Sequence, residues 1–365
     1  MGRDRKEILA LPKYEEYAIH FMGLPGWIYR NIDDKPDEVQ HQLNWLVRRV
    51  REMGARYLRT FLMNGSRKAS EKYMMDCLPW KLKKTAGGLK TDFKSHNEKF
   101  FEVIDLIEKT CKYWQIQHRP TMLMDRYNYD VFREVGFWSP KGLELQQHYF
   151  IDVLERQKKH RAKNFKPTFE IMNEPFHHGS WEFGAKIADH HLALFRAVED
   201  LTRIDRVWTC SGTSEFAHAQ LVEPQWFASL GRWLGSEEFR SRKIKPEWHG
   251  VSTLQTLFRA DFEKGVGSGW RHQCYNEDGS DDGSYRPIPW TDHRLANRRE
   301  LFDMLWYAIR ESRKHRKKFY FTAFAMDCLK QDPKDGVAKE EFWDIPGFKW
   351  SRYAAYKAVR EELRV

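Results

Sequence analysis

The sequence predicts a (β/α)8 barrel, a single domain over residues 1–365. Three observations carry that reading. Short apolar runs alternate with amphipathic helical patterns from end to end, the signature of a parallel sheet with crossover helices. Eight such runs can be counted, the stave number of this barrel. No Pro/Ser-rich linker or low-complexity stretch divides the 365 residues, and a bare barrel needs about 250 of them. A doubly wound open sheet uses the same alternation and is the competing architecture.

Taken in order, Tyr17, Ala18, Ile19, His20 and Phe21 form the first strand candidate. The helix after it has Pro36 early, Val39, Leu43, Leu46, Val47 and Val50 at helical spacing, and Gly54 as its C-cap. Residues 56–63 are the second strand, and residues 64–94 a long loop. Ser95-His96-Asn97-Glu98 fits a capping box, opening a helix with Phe100, Val103, Ile104, Ile107 and Cys111 on one face. Residues 120–124 form the third strand. A helix over 143–156 leads to the fourth at 168–172, and a helix over 181–201 to the fifth at 206–210. The stretch 227–239 leads to the sixth at 248–253, and 271–275 makes the seventh. A helix over 301–312 precedes the eighth at 319–324, and a helix over 351–363 follows it. Two long loops, 64–94 and 278–294, both follow strands. They would overhang the C-terminal face, where barrel active sites lie.

Composition narrows the class. With 41% hydrophobic and 15% aromatic residues the chain has material for a large core, so disorder is excluded as its dominant state. No run of 18 apolar residues occurs, so no membrane helix is expected. The charged first 17 residues lack the apolar stretch of a signal peptide, which fits a cytoplasmic protein or a secreted one already trimmed. The five cysteines are widely spaced and form no C-x-x-C, so reduced, buried thiols are expected. The net charge of +10 raises nucleic-acid binding. Yet its densest run, Arg313 to Lys318, ends an amphipathic helix, where cations suit the helix dipole.

Asn173-Glu174-Pro175 is the most informative tripeptide. It ends an apolar strand, which Pro175 stops because it lacks an N–H. Glu174 is thereby presented at a strand's C-terminal end beside an amide able to orient a hydroxyl. Glu170 shares its parity and reads as an inward structural carboxylate. The run Asp278, Ser280, Asp282 and Gly283 has calcium-loop spacing, but position twelve is Pro289 rather than Glu. The adjacent pairs His177-His178 and His190-His191 lack the i, i+4 geometry of a zinc helix. No metal site and no cofactor is expected.

The whole stretch from Phe169 to Pro175, FEIMNEP, resembles the fourth strand of clan A glycoside hydrolases, such as the cellulase- and mannanase-like family 5 enzymes. The resemblance implies that Glu174 is the general acid/base and that Asn173 contacts the sugar's 2-hydroxyl. It also implies a nucleophilic carboxylate at the end of strand seven, where Glu277 follows Tyr275 and Asn276. Arg59 in strand two matches the arginine that this clan bonds to its nucleophile. His249 matches a strand-six histidine, with Val251 where relatives carry Tyr, so Tyr275 is the candidate for that contact. Strand three ends in Asp125-Arg126 instead of a sugar-binding His, and Phe324 stands for the usual strand-eight Trp. The implied activity is retaining hydrolysis of β-glycosidic bonds in an oligo- or polysaccharide, which needs one carboxyl to protonate the leaving oxygen and another to attack. Trp27, Trp80 and Trp290, with Trp138 and Trp270, lie near strand-end loops. Each singly suits core packing, and two or three of them would line sugar subsites. Two other readings stand beside this one: a catalytically inactive carbohydrate-binding barrel, and a basic protein binding an anionic polymer through residues 68–94. Basic loops and hydrolysis agree where the glycan is acidic. No membrane or nucleic-acid partner is expected.

Overall fold

The computed structural model describes residues 4–11, 13–21, 23–63, 77–86, 88–123, 131–160 and 168–172, some positions within 190–198, and five further strands. Its elements are α1 (Arg5–Ala10), β1 (Tyr14–Phe21), α2 (Leu24–Asn31), α3 (Pro36–Glu52), β2 (Ala55–Phe61), β3 (Trp80–Thr85), β4 (Gly88–His96), α4 (Glu98–Tyr113) and β5 (Gln117–Leu123). Then come α5 (Pro140–His160), β6 (Glu170–Met172), β7 (Trp208–Gly212), β8 (Glu247–Val251), β9 (Arg271–Tyr275), β10 (Asp281–Pro287) and β11 (Phe319–Phe324).

The helices follow their sequence signals. In α3, Pro36 sits at the start, Asp37 and Glu38 fill the first turn and Arg49 and Arg51 the last, each matched to the helix dipole. Its buried face holds Val39, Leu43, Leu46, Val47 and Val50, and Gly54 ends it with φ 75°. Helix α4 buries Phe100, Val103, Ile104, Ile107 and Cys111 as the periodicity requires. Its start differs from expectation, because the N-cap is Asn97 and makes no side-chain cap bond. The Asn97 amide donates to the Leu78 carbonyl at 2.9 Å, while Ser95 sits on β4 and donates to Asp92 at 3.0 Å. Tertiary partners outcompete the local capping box.

The parallel strands pair in the order β1-β11-β8-β7-β6-β5-β2, and β2 returns to β1, so the ring closes. Among the described residues this ring has seven staves, where eight were expected. The missing one is β9, which pairs antiparallel with β10, placing Gln273 opposite Tyr285. The reason is local: only five residues, 276–280, separate β9 from β10 in the chain, a hairpin-length connection containing Gly279. The long loop over 64–94 also holds a hairpin at its end, β3 with β4. Most of the apolar core lies where α4 and α5 cover β2, β5 and β6, around Ile104, Tyr149, Phe150, Met122 and Ile171. Cys77 and Cys111 are buried there or beside it, as expected of reduced thiols. Cys210 and Cys274 lie on β7 and β9, and Cys328 falls outside the described residues.

Candidate active site

Strand β6 is short, and Glu170 is its first residue. Register sets it level with Thr121 of β5, and Phe61 of β2 is level with Thr121 in turn. Two residues below on β2 is Arg59, in register with His20 of β1 on one side and Arg119 of β5 on the other. All of these side chains are buried.

The Arg59 guanidinium reaches up to the next layer. Nε donates to Glu170 Oε2 at 2.7 Å, and Nη2 lies 2.6 Å from the same oxygen. The Thr121 hydroxyl donates to that oxygen too, at 2.5 Å. Three donors on one carboxylate oxygen offset the cost of burying its charge. The other oxygen, Oε1, has no hydrogen-bond partner among the described residues. Arg59 also lies over the Phe61 ring at 4.9 Å, and Arg119 over Tyr57 at 3.5 Å while donating to the Thr168 hydroxyl.

His20 is fully enclosed in this row, 4.5 Å from the Phe61 ring. Its Nδ1 faces the Arg59 carbonyl at 3.2 Å. A carbonyl only accepts, so Nδ1 carries the proton. Burial, and then the Arg59 cation, push its pKa well below the usual histidine value, so the ring is neutral near pH 7.

The residues expected at the site are placed unevenly. Arg59 is inside the ring, where among the described residues its carboxylate partner is Glu170. Phe324 is in register with His20 and so lies two strands from Arg59 in the same row, with β1 between them. His249 is on β8, opposite Tyr320 and Cys210, four residues along β11 from Phe324. Tyr275 ends β9, outside the ring. Asn173, Glu174, Glu277 and Trp290 lie outside the described residues. The loop positions expected for Trp27 and Trp80 are corrected: Trp27 is buried within α2, and Trp80 begins β3. Trp80 is seated on Phe93, Phe132 and Tyr149 at 5.0, 5.5 and 6.0 Å, so both side chains serve the core. Asp281–Gly283 of the calcium-like run open strand β10. Among the described residues no group of three His, Cys, Asp or Glu side chains converges on a metal position.

Three members of the cluster escaped the sequence reading. Arg119 lies on β5 ahead of the strand expected at 120–124, and Thr121 lies within that strand but was not singled out. Tyr57 falls within the strand expected at 56–63, and its parity with Arg59 is the signal that could have found it.

No family model matches the chain, and no curated protein matches it. Solved structures do. The GH5-4 broad specificity endoglucanase of Clostridium longisporum aligns over 97% of this chain and 98% of its own, with a TM-score of 0.52 at 8% identity. The AHE enzyme of Alicyclobacillus herbarius aligns over 96% and 87%, with a TM-score of 0.50 at 11% identity. The chain therefore shares its fold with the Clostridium longisporum endoglucanase, which is of the family 5 type that the FEIMNEP segment resembles.

Proposed function

We propose that the protein hydrolyses β-glycosidic bonds of an oligo- or polysaccharide with retention, Glu174 acting as acid/base and Glu277 as nucleophile. One observation carries the reading. Glu170–Met172 is a stave of the ring, with Glu170 held inside it by Arg59 and Thr121. Asn173-Glu174-Pro175 are the next residues in the chain, so they leave the stave at its C-terminal end, where barrel active sites are built. In this reading Asn173 binds the sugar beside the acid, and His249, Tyr275, Phe324 and Trp290 contribute to the cleft. Arg59 supplies positive charge beneath it, which favours an ionised nucleophile next to a protonated acid. The eight-stave form belongs to the same proposal. Strand β9 falls in chain order between β8 and β11, and in the eight-stave form it would part these two, which pair directly in the seven-stave ring, and bring Glu277 to the mouth.

The test is a panel of chromogenic β-glucosides, β-mannosides, β-xylosides and β-galactosides, with the anomer formed first read by NMR. Wild type should turn over at least one of them, releasing the β-anomer. E174Q and E277Q should each lower kcat by at least about a thousandfold while leaving the unfolding midpoint near wild type. Activity retained in either variant removes that residue from the mechanism, and an inverted product removes the covalent intermediate.

A further inference from the structure

Helix α4 nearly balances its charge, with four acids against three lysines. The hairpin before it does not: residues 80–96 hold Lys81, Lys83, Lys84, Lys90 and Lys94 against Asp92 alone. Strand alternation sorts these residues by face. Trp80 is buried, Leu82 and Phe93 lie against the core, and the buried Thr91 donates to the Val131 carbonyl at 3.0 Å. The pairs Lys81/Asp92 and Lys83/Lys90 alternate with Leu82/Thr91 and so occupy the outer face. Lys83 and Lys90 remain 56% and 42% exposed.

Two features go beyond ordinary solvation. Lysines guard the free edges of small sheets, but that role does not require like charges to face each other. Lys83 and Lys90 are directly opposed, and among the described residues only one acid stands near each, Asp92 at 4.0 Å from Lys83 and Glu134 at 3.4 Å from Lys90. Asp92 is already engaged by the Ser95 hydroxyl and the Lys94 N–H. The hairpin also sits in the connection between β2 and α4, and Thr91 and Trp80 tie it to residues 131 and 132 of the connection between β5 and α5. Both connections leave the C-terminal ends of ring strands, as the segment carrying Glu174 does.

We infer that the outer face of the β3–β4 hairpin is a docking track for an acidic polysaccharide, which names the substrate class of the site proposed above and rests on that reading for the word substrate. Lysine ammonium groups act as compact point charges without the planar fork of arginine. A row of them suits a chain of repeated anionic groups followed along its length. Carboxylate and sulfate groups meet this requirement alike.

Binding, read by affinity electrophoresis, tests the track without turnover. The probes are polygalacturonate, a sulfated dextran, a neutral β-glucan, duplex DNA and anionic lipid vesicles. Polygalacturonate or the sulfated chain should bind at about 50 mM salt and weaken steeply towards about 200 mM, while the neutral glucan ignores salt. The triple variant K81Q/K83Q/K90Q should lose roughly tenfold in affinity. The triple variant K141Q/K158Q/K159Q removes as much charge from exposed positions of α5 and should stay within about twofold of wild type. K83Q alone removes the opposed charge together with an exposed contact to Asp92, so it should weaken binding and leave the unfolding midpoint near wild type. Equal losses in both triple variants, no binding at low salt, or tighter binding to DNA or vesicles overturns the proposal. A protein that binds through the hairpin but hydrolyses no glycoside overturns only the glycosidase reading.

Discussion

Arg59 and Glu170 are both fully buried, so neither charge has water to fall back on. Replacing Arg59 with Met leaves the carboxylate unpaired and should cost about 3–5 kcal/mol in urea unfolding. R59M/E170L removes both charges and should regain most of that loss. His20 gives a pH signature at the same place. Its folded pKa lies well below the unfolded 6.5. Below pH 6.5 the unfolded chain therefore takes up a proton that the folded state refuses. Stability is full above that pH and falls as the medium is acidified, by up to about 1.4 kcal/mol per pH unit, until the depressed folded pKa is reached. H20Q should flatten this slope in unfolding measured from pH 7 to pH 5. Much of this layer was legible in the sequence. The motif singled out Arg59, and parity placed Glu170 inward four residues before Glu174. Their bond to each other was not legible, because pairing across a ring depends on stagger between strands 111 residues apart.

Helices with a long apolar period and the short apolar ring strands, such as 319–324, were read correctly, and short elements without either pattern were not. Helices α3 and α4 show more than three turns of one-sided periodicity. Helix α2 has eight residues, including Pro25 and Gly26, too few to declare a period. The hairpin strand Trp80–Thr85 hides its alternation behind five consecutive exposed or half-exposed positions, three of them lysine. Packing detail lies further out of reach. Ser139 caps α5, accepting from the Gly142 N–H at 2.9 Å, and Gly136 turns the chain beforehand with φ 78°. A Cβ on Gly142 would meet the Gly136 carbonyl oxygen at 2.1 Å. G142A should therefore destabilise by about 1–3 kcal/mol, since backbone must move to admit the methyl group. At the other end, Arg51 of α3 donates from Nη2 to the carbonyls of Leu9 and Leu11, at 2.8 and 2.6 Å. R51M should leave the global midpoint lowered by about 1–3 kcal/mol and speed hydrogen exchange across α1 first.

For the molecule as a whole, the alternation of strands and helices gave the architecture, because a parallel sheet must return through crossovers and each crossover leaves its own period. The stave count was less secure. Arg271–Tyr275 has the composition of a ring strand, yet a neighbour six residues away offers it a hairpin, and nothing in its own residues decides between near and far partners. The same limit applies to Trp27 and Trp80: an indole suits a core and a sugar cleft equally, and only the contacts decide.

Ring closure also sets a timetable for synthesis. Tyr17 of β1 pairs with Phe321 of β11, so the first stave made waits about 300 residues for its second neighbour. At ~5–20 residues per second this is about 15–60 s on the ribosome. Throughout that interval one edge of β1 is an unfilled template for any extended chain nearby. Nascent chains halted before residue 319 should accordingly be captured by chaperones or aggregate, and those released after residue 324 should not.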